Sequence, residues 1–94
     1  MIKRIVKMEF KEDKINAFIS LIEKNRIKIA NFNGCISLDI LQDINNKNVF
    51  FTYSCWAKED DLNQYRNSTL FNEVWAETKT YFNNKPLAWS VSII

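Results

Sequence analysis

From Ile2 to Phe10 apolar residues recur at alternate positions, with Ile2, Val6, Met8 and Phe10 on one face and Lys3, Ile5 and Lys7 on the other. A period of two predicts a strand. From Lys11 to Ala30 the period lengthens. Ile15, Phe18, Ile19, Ile22, Arg26 and Ile29 form one stripe among Lys, Glu and Asn, which predicts an amphipathic helix. Asn31-Phe32-Asn33-Gly34 ends it, and Gly34, the sole glycine, suits a position that needs positive φ.

Cys35 to Gln42 alternates again, with Ile36, Leu38 and Ile40 set against Ser37 and Asp39. After the polar run Asp43 to Asn48, Val49 to Trp56 reads as a strand rich in aromatics, and the short link makes the two strands an antiparallel hairpin. Ala57 to Arg66 predicts a short helix that frays near Asn67. Ser68 then stands where a hydroxyl caps a further helix from Thr69 to Phe82, with Phe71, Val74, Trp75, Thr78 and Phe82 on one face. Asn83-Asn84-Lys85-Pro86 breaks that helix, and Ala88 to Ile94 forms the last strand.

The order β-α-β-β-α-β is that of an α+β, ferredoxin-like fold, a four-stranded antiparallel sheet with its helices on one face. The other face is expected to be apolar as well, because Ile5, Leu41, Val49, Phe51 and Tyr53 alternate with the helix-facing residues. Such a face calls for sheet-on-sheet packing with a second copy of the chain, so a homodimer through the open sheet face is expected.

Composition narrows the function classes. Residues 1–94 make one domain, and 47% hydrophobic with 14% aromatic residues is enough to build a core. The formal charge of +2 arises from 13 basic and 11 acidic residues spread along the chain. Nucleic-acid binders cluster such charges beside a recognised motif, and none is found here. There is no histidine. Imidazole metal ligands, Ser-His or Cys-His nucleophile pairs and a His-ligated haem are thereby excluded. Cys35 and Cys55 have no zinc spacing, and no metal is expected. If the hairpin apex lies at Asn45-Asn46, they sit nearly opposite on adjacent strands, close enough for a disulfide, although a cytoplasmic setting favours free thiols. The amino terminus lacks a signal-peptide pattern and no apolar run spans a membrane, so a soluble, cytoplasmic protein is the expectation.

Four segments carry a resemblance across almost the whole chain: Ile5-Val6-Lys7-Met8-Glu9-Phe10, Asn31-Phe32-Asn33-Gly34-Cys35, Phe51-Thr52-Tyr53-Ser54-Cys55-Trp56, and Tyr65-Arg66-Asn67-Ser68 through Phe71 and Val74-Trp75. In these the sequence resembles the antibiotic biosynthesis monooxygenase (ABM) domain family of dimeric α/β barrels. The resemblance implies one of several activities: cofactor-independent oxygenation of quinol-like aromatics, isomerisation or hydrolysis of small signal metabolites, or haem degradation. The haem degraders of that family use an Asn, a Trp and a His at positions that fall here on Val6, Tyr65 and Trp75. None matches, and haem degradation is set aside.

Tyr65, Phe71 and Trp75 are therefore the candidate walls of a pocket between helices and sheet, closed below by Val6 and Met8. Flat aromatic walls hold a planar aromatic ligand by offset stacking. Arg66, the Tyr65 hydroxyl or the Trp75 N–H would steady an oxyanion, and Ser54 is a small polar candidate among large neighbours. The same aromatic stripe is also what the ordinary core of a small domain would show. Two readings stand: a cofactor-independent monooxygenase acting on a small aromatic molecule, with no cofactor required, and a non-catalytic binding or dimerisation module of the same fold.

Overall fold

A computed structural model describes residues 1–94. Strand β1 (Ile2–Glu9) leads through a single 3₁₀ turn (Glu12–Lys14) into helix α1 (Ile15–Ala30), then to the hairpin β2 (Cys35–Gln42) and β3 (Val49–Trp56). Helices α2 (Glu59–Arg66) and α3 (Thr69–Lys79) follow, and β4 (Leu87–Ser92) closes the sheet. All pairings are antiparallel and the strand order is β2-β3-β1-β4. The fold is the expected α+β, ferredoxin-like arrangement.

The strand periodicity translates directly into core. Met8 and Phe10 from the first strand segment, Phe18, Ile22 and Ile29 from α1, and Phe50 from β3 form one buried cluster. Each such side chain contributes about 1.5–3 kcal/mol by leaving water. Phe10 is its hub, with ring centroids 4.3 Å from Phe18, 5.7 Å from Phe50 and 5.4 Å from Phe82.

Local chemistry fixes the connections. Gly34 has φ 86°, the left-handed region that its lack of a Cβ makes accessible, and its carbonyl accepts from the Ala57 N–H at 2.8 Å. That bond ties the connection between α1 and β2 to the segment that leads from β3 into α2. In the β2–β3 turn, Asp43 Oδ1 accepts from the N–H groups of Asn45 and Asn46 at 2.7 and 3.0 Å, an Asx turn. Ser68 caps α3 as expected, its hydroxyl accepting from the Phe71 N–H at 3.1 Å.

Several expectations need correction. Ile19 is exposed and Leu21 is buried instead, because the core approaches α1 from a slightly rotated direction. Helix α3 ends at Lys79, not at Phe82. The chain there is drawn onto the end of β1, with Lys11 N–H donating to the Tyr81 carbonyl and Asn83 N–H to the Glu9 carbonyl at 2.9 and 3.1 Å. A bulge between Cys35 and Ser37 places Cys35 opposite Trp56 and Ser37 opposite Cys55. The two cysteines are consequently not register partners, both are free thiols, and Ile36 is left exposed. On the open sheet face, Val49 is already buried within the single chain. That face instead presents Leu41, Leu87, Trp89 and Val91 exposed beside half-buried Ile5, Phe51 and Tyr53. Lys3 lies on it as well, its ammonium 4.9 Å above the Tyr53 ring. No helix is long and apolar enough to cross a membrane.

Candidate functional site

Between the sheet and the helices lies a cavity of about 260 Å³. Its floor is made by strand residues of one parity: Arg4, Val6 and Met8 of β1, Leu38 and Ile40 of β2, and Thr52, Ser54 and Trp56 of β3. Tyr65 and Arg66 at the end of α2 and Phe71, Val74, Trp75 and Thr78 of α3 form the walls. Pro86 and Ala88 close the β4 side. Every residue singled out in the sequence, Val6, Met8, Ser54, Tyr65, Arg66, Phe71 and Trp75, borders this one space.

The helix junction sets the aromatic walls. The Ser68 hydroxyl donates to the Tyr65 carbonyl at 2.6 Å while accepting from Phe71 N–H, so one side chain joins the end of α2 to the start of α3. Tyr65 and Phe71 then meet edge to face at 5.3 Å, and Phe71 stacks on Trp75 at 5.9 Å with 14° between planes. Behind Tyr65, the fully buried Trp56 stacks at 5.1 Å, and Phe32 packs edge-on against Tyr65 at 5.3 Å. Trp75 continues to Phe82 at 5.6 Å, which joins the wall to the Phe10 cluster. The walls are therefore held from behind by core aromatics.

Polar groups in the cavity divide into those already engaged and those free. The Trp56 indole N–H donates to Ser54 Oγ at 2.9 Å, which gives the buried Ser54 a structural task. Thr78 Oγ1 donates to the Val74 carbonyl at 2.7 Å. Neither the Tyr65 hydroxyl nor the Trp75 indole N–H bonds within the protein, and neither is a sealed, unsatisfied group. Burial, with a smaller contribution from Cys35, pushes the Tyr65 phenol up to about 12. At neutral pH this hydroxyl is a donor and not a base.

Sequence reasoning missed Arg4. It occupies an inward position of β1, between Ile2 and Val6, and its Nη1 donates to Ser90 Oγ at 3.0 Å on the neighbouring strand. A charge at a core-facing position of an apolar strand face was the available signal. Burial and the nearby Arg66 charge lower the Arg4 pKa from its ordinary value. No acidic side chain lines the cavity, and the ion pair of this chain joins Arg26 to Glu23 elsewhere, at 3.5 Å on α1. No group of three or more His, Cys, Asp or Glu side chains is placed to hold a metal ion.

The whole architecture is shared with solved structures. A protein from Methanosarcina mazei Go1 superposes with TM-score 0.92 at 20% identity, covering 96% of this chain and 89% of that one. A structure described as an antibiotic biosynthesis monooxygenase gives 0.93 at 15% identity, covering 100% and 99%. One from Mycobacterium tuberculosis gives 0.91 at 13% identity, covering 99% and 94%. At such identities the likeness is one of fold. No protein of curated function is detectably similar in sequence. The model of the family described as antibiotic biosynthesis monooxygenase, however, matches residues 1–77, and the chain belongs to that family.

Proposed function

We propose that this protein is a cofactor-independent monooxygenase that oxidises a small aromatic or quinol-type molecule within the Tyr65–Phe71–Trp75 cavity. The observation that carries this reading is a preformed, aromatic-walled space of about 260 Å³ in a member of the monooxygenase family. That volume lies near the lower end of ligand pockets, which run to roughly 300–1,000 Å³, and so favours a small, flat substrate. Stacking on Phe71 and Trp75 would orient the ring and exclude water.

The chemistry asked of the protein is modest. An ionised, electron-rich substrate passes an electron to O₂, and recombination followed by loss of water completes the step. Overall, R₂CH₂ + O₂ gives R₂C=O + H₂O, so the substrate itself supplies all four electrons. The Tyr65 hydroxyl and Trp75 N–H are donors available to the developing oxyanion.

Val6, Met8 and Ser54 form the floor in this reading, and Arg66 stands at the exposed rim. The assembly is a homodimer in which two copies bury Ile5, Phe51, Leu87 and Trp89 against each other.

A second reading, a non-catalytic small-molecule-binding module, is favoured by one observation. The only titratable lining groups are Arg4, Arg66 and the strongly protonated Tyr65, so no side chain is available as a general base. Oxygen consumption over a panel of reduced quinols and polycyclic phenols separates the two. Uptake of one O₂ per substrate, diminished in Trp75→Ala, supports the enzyme. Saturable binding of the same compounds without uptake supports the module.

A further inference from the structure

Two guanidinium groups border a cavity that contains no carboxylate. Arg66, as the last residue of α2, interacts favourably with the helix dipole, which accounts for its position without any ligand. Arg4 has no such account. It is turned inward from β1 toward the same space, its one hydrogen-bonding partner within the protein is the neutral Ser90 hydroxyl, and it repels Arg66. Folding gains nothing from that repulsion, and a Leu or Val at this strand position would pack more cheaply. Like charges brought together beside an apolar cavity are what an anionic ligand requires. Guanidinium groups also supply forked donors that fit oxygen anions closely.

The absence of a base leads to the same place. A substrate that must be ionised to react cannot hand its proton to any carboxylate or imidazole in this cavity, because none lines it. Two adjacent positive charges would instead draw the ionised form out of solution and lower the pKa of the bound molecule.

We propose that the cavity takes its aromatic ligand as an anion, with the negatively charged oxygen held between Arg4 and Arg66 and the ring stacked on Phe71 and Trp75. The inference rests on the aromatic-ligand reading above and names the chemical class of that ligand: an aromatic phenolate, enolate or carboxylate. Neutral polycyclic hydrocarbons would bind weakly, and added salt would weaken anion binding through screening at the exposed Arg66 rim.

The test uses three two-ring probes of nearly equal shape: 2-naphthoate, its neutral analogue 2-naphthamide, and 2-naphthol titrated through its own ionisation. Calorimetry on the intact protein should show naphthoate binding at least about ten-fold more tightly than naphthamide, a difference of ~1.4 kcal/mol. Naphthol should bind more tightly as it ionises, with its apparent pKa lowered on the protein. Arg4→Gln and Arg66→Gln should each lower naphthoate affinity about ten-fold while leaving naphthamide within two-fold, and Arg66→Lys should keep part of the preference. Arg66 is exposed, so its variants provide a test that does not depend on how well Arg4→Gln folds.

Equal affinity for naphthoate and naphthamide would overturn the anion inference while leaving the aromatic pocket standing. Absence of binding by all three probes would overturn both. Selective anion binding without O₂ uptake from any quinol would sustain the inference and refute the monooxygenase.

Discussion

Replacing Ser68 by Ala removes two hydrogen bonds from the joint that positions Tyr65 and Phe71. The first is the cap itself, Phe71 N–H to Ser68 Oγ at 3.1 Å, whose loss costs about 1 kcal/mol in comparable helices. The second is the donation of the hydroxyl to the Tyr65 carbonyl at 2.6 Å. That carbonyl keeps the Ser68 backbone N–H at 3.0 Å, so the second loss falls at the lower end of the usual ~0.5–1.5 kcal/mol. Together the variant should lose about 1.5–2 kcal/mol, or roughly 6–10 °C in Tm for a chain of this size. Urea and thermal unfolding followed by circular dichroism, at matched protein concentration, give the number directly. Ser68→Asp, which retains an acceptor for Phe71 N–H, should recover most of the cap contribution. A loss below about 0.5 kcal/mol in Ser68→Ala, or no recovery in Ser68→Asp, would refute the account of this joint. Ligand affinity is a second readout, because loosening the junction should splay the Tyr65 and Phe71 walls.

Tyr65 holds its proton more tightly in the folded protein, at about 12 against an ordinary 10. Its contribution to stability is therefore intact below pH ~10 and lost as pH rises toward ~12, by up to about 2–3 kcal/mol, and Tyr65→Phe should remove that alkaline loss. A tyrosinate absorbance titration in which no high-pH step disappears from Tyr65→Phe would contradict the assignment. Gly34→Ala should be destabilising by more than about 1 kcal/mol, since φ is 86° and the new Cβ would fall on the Asp61 side chain. Adding Asp61→Gly, which removes the Asp61 Cβ as well as its carboxylate, should relieve the steric part alone, leaving the urea midpoint below that of the wild type. Light scattering at micromolar concentration should give the mass of a dimer, and Trp89→Glu should give a monomer with unchanged helix content. A monomeric wild-type protein would end the dimer proposal.

The elements were legible because their causes are local. Alternation set the inward parity of β1 and β3, a Ser before an apolar run marked the start of α3, and a lone glycine marked a left-handed turn. Much of the cavity followed from the same periodicities, since Val6, Met8 and Ser54 share a sheet face and Phe71 and Trp75 share a helix face. What the sequence withheld depends on tertiary contact. The end of α3 is decided by the attachment of residues 81–83 to β1, and the cysteine register by a bulge that alternation alone does not reveal. The direction of α1 exchanges Ile19 for Leu21 in the core. Arg4 reads in the sequence as one of a solvated basic run with Lys3 and Lys7, and only the strand parity in the folded sheet sets it apart from them, on the cavity side.

The placement of the three tryptophans makes the protein its own spectroscopic instrument. Trp56 is 0% exposed behind Tyr65, Trp75 forms the cavity wall, and Trp89 stands 44% exposed on the opposite face of the sheet. Ligand entry should quench Trp75 first, association of two copies should shift the emission of Trp89 to the blue, and global unfolding should be needed to bring Trp56 into water. Single-tryptophan variants would thus separate occupancy, self-association and unfolding by colour, without any attached label.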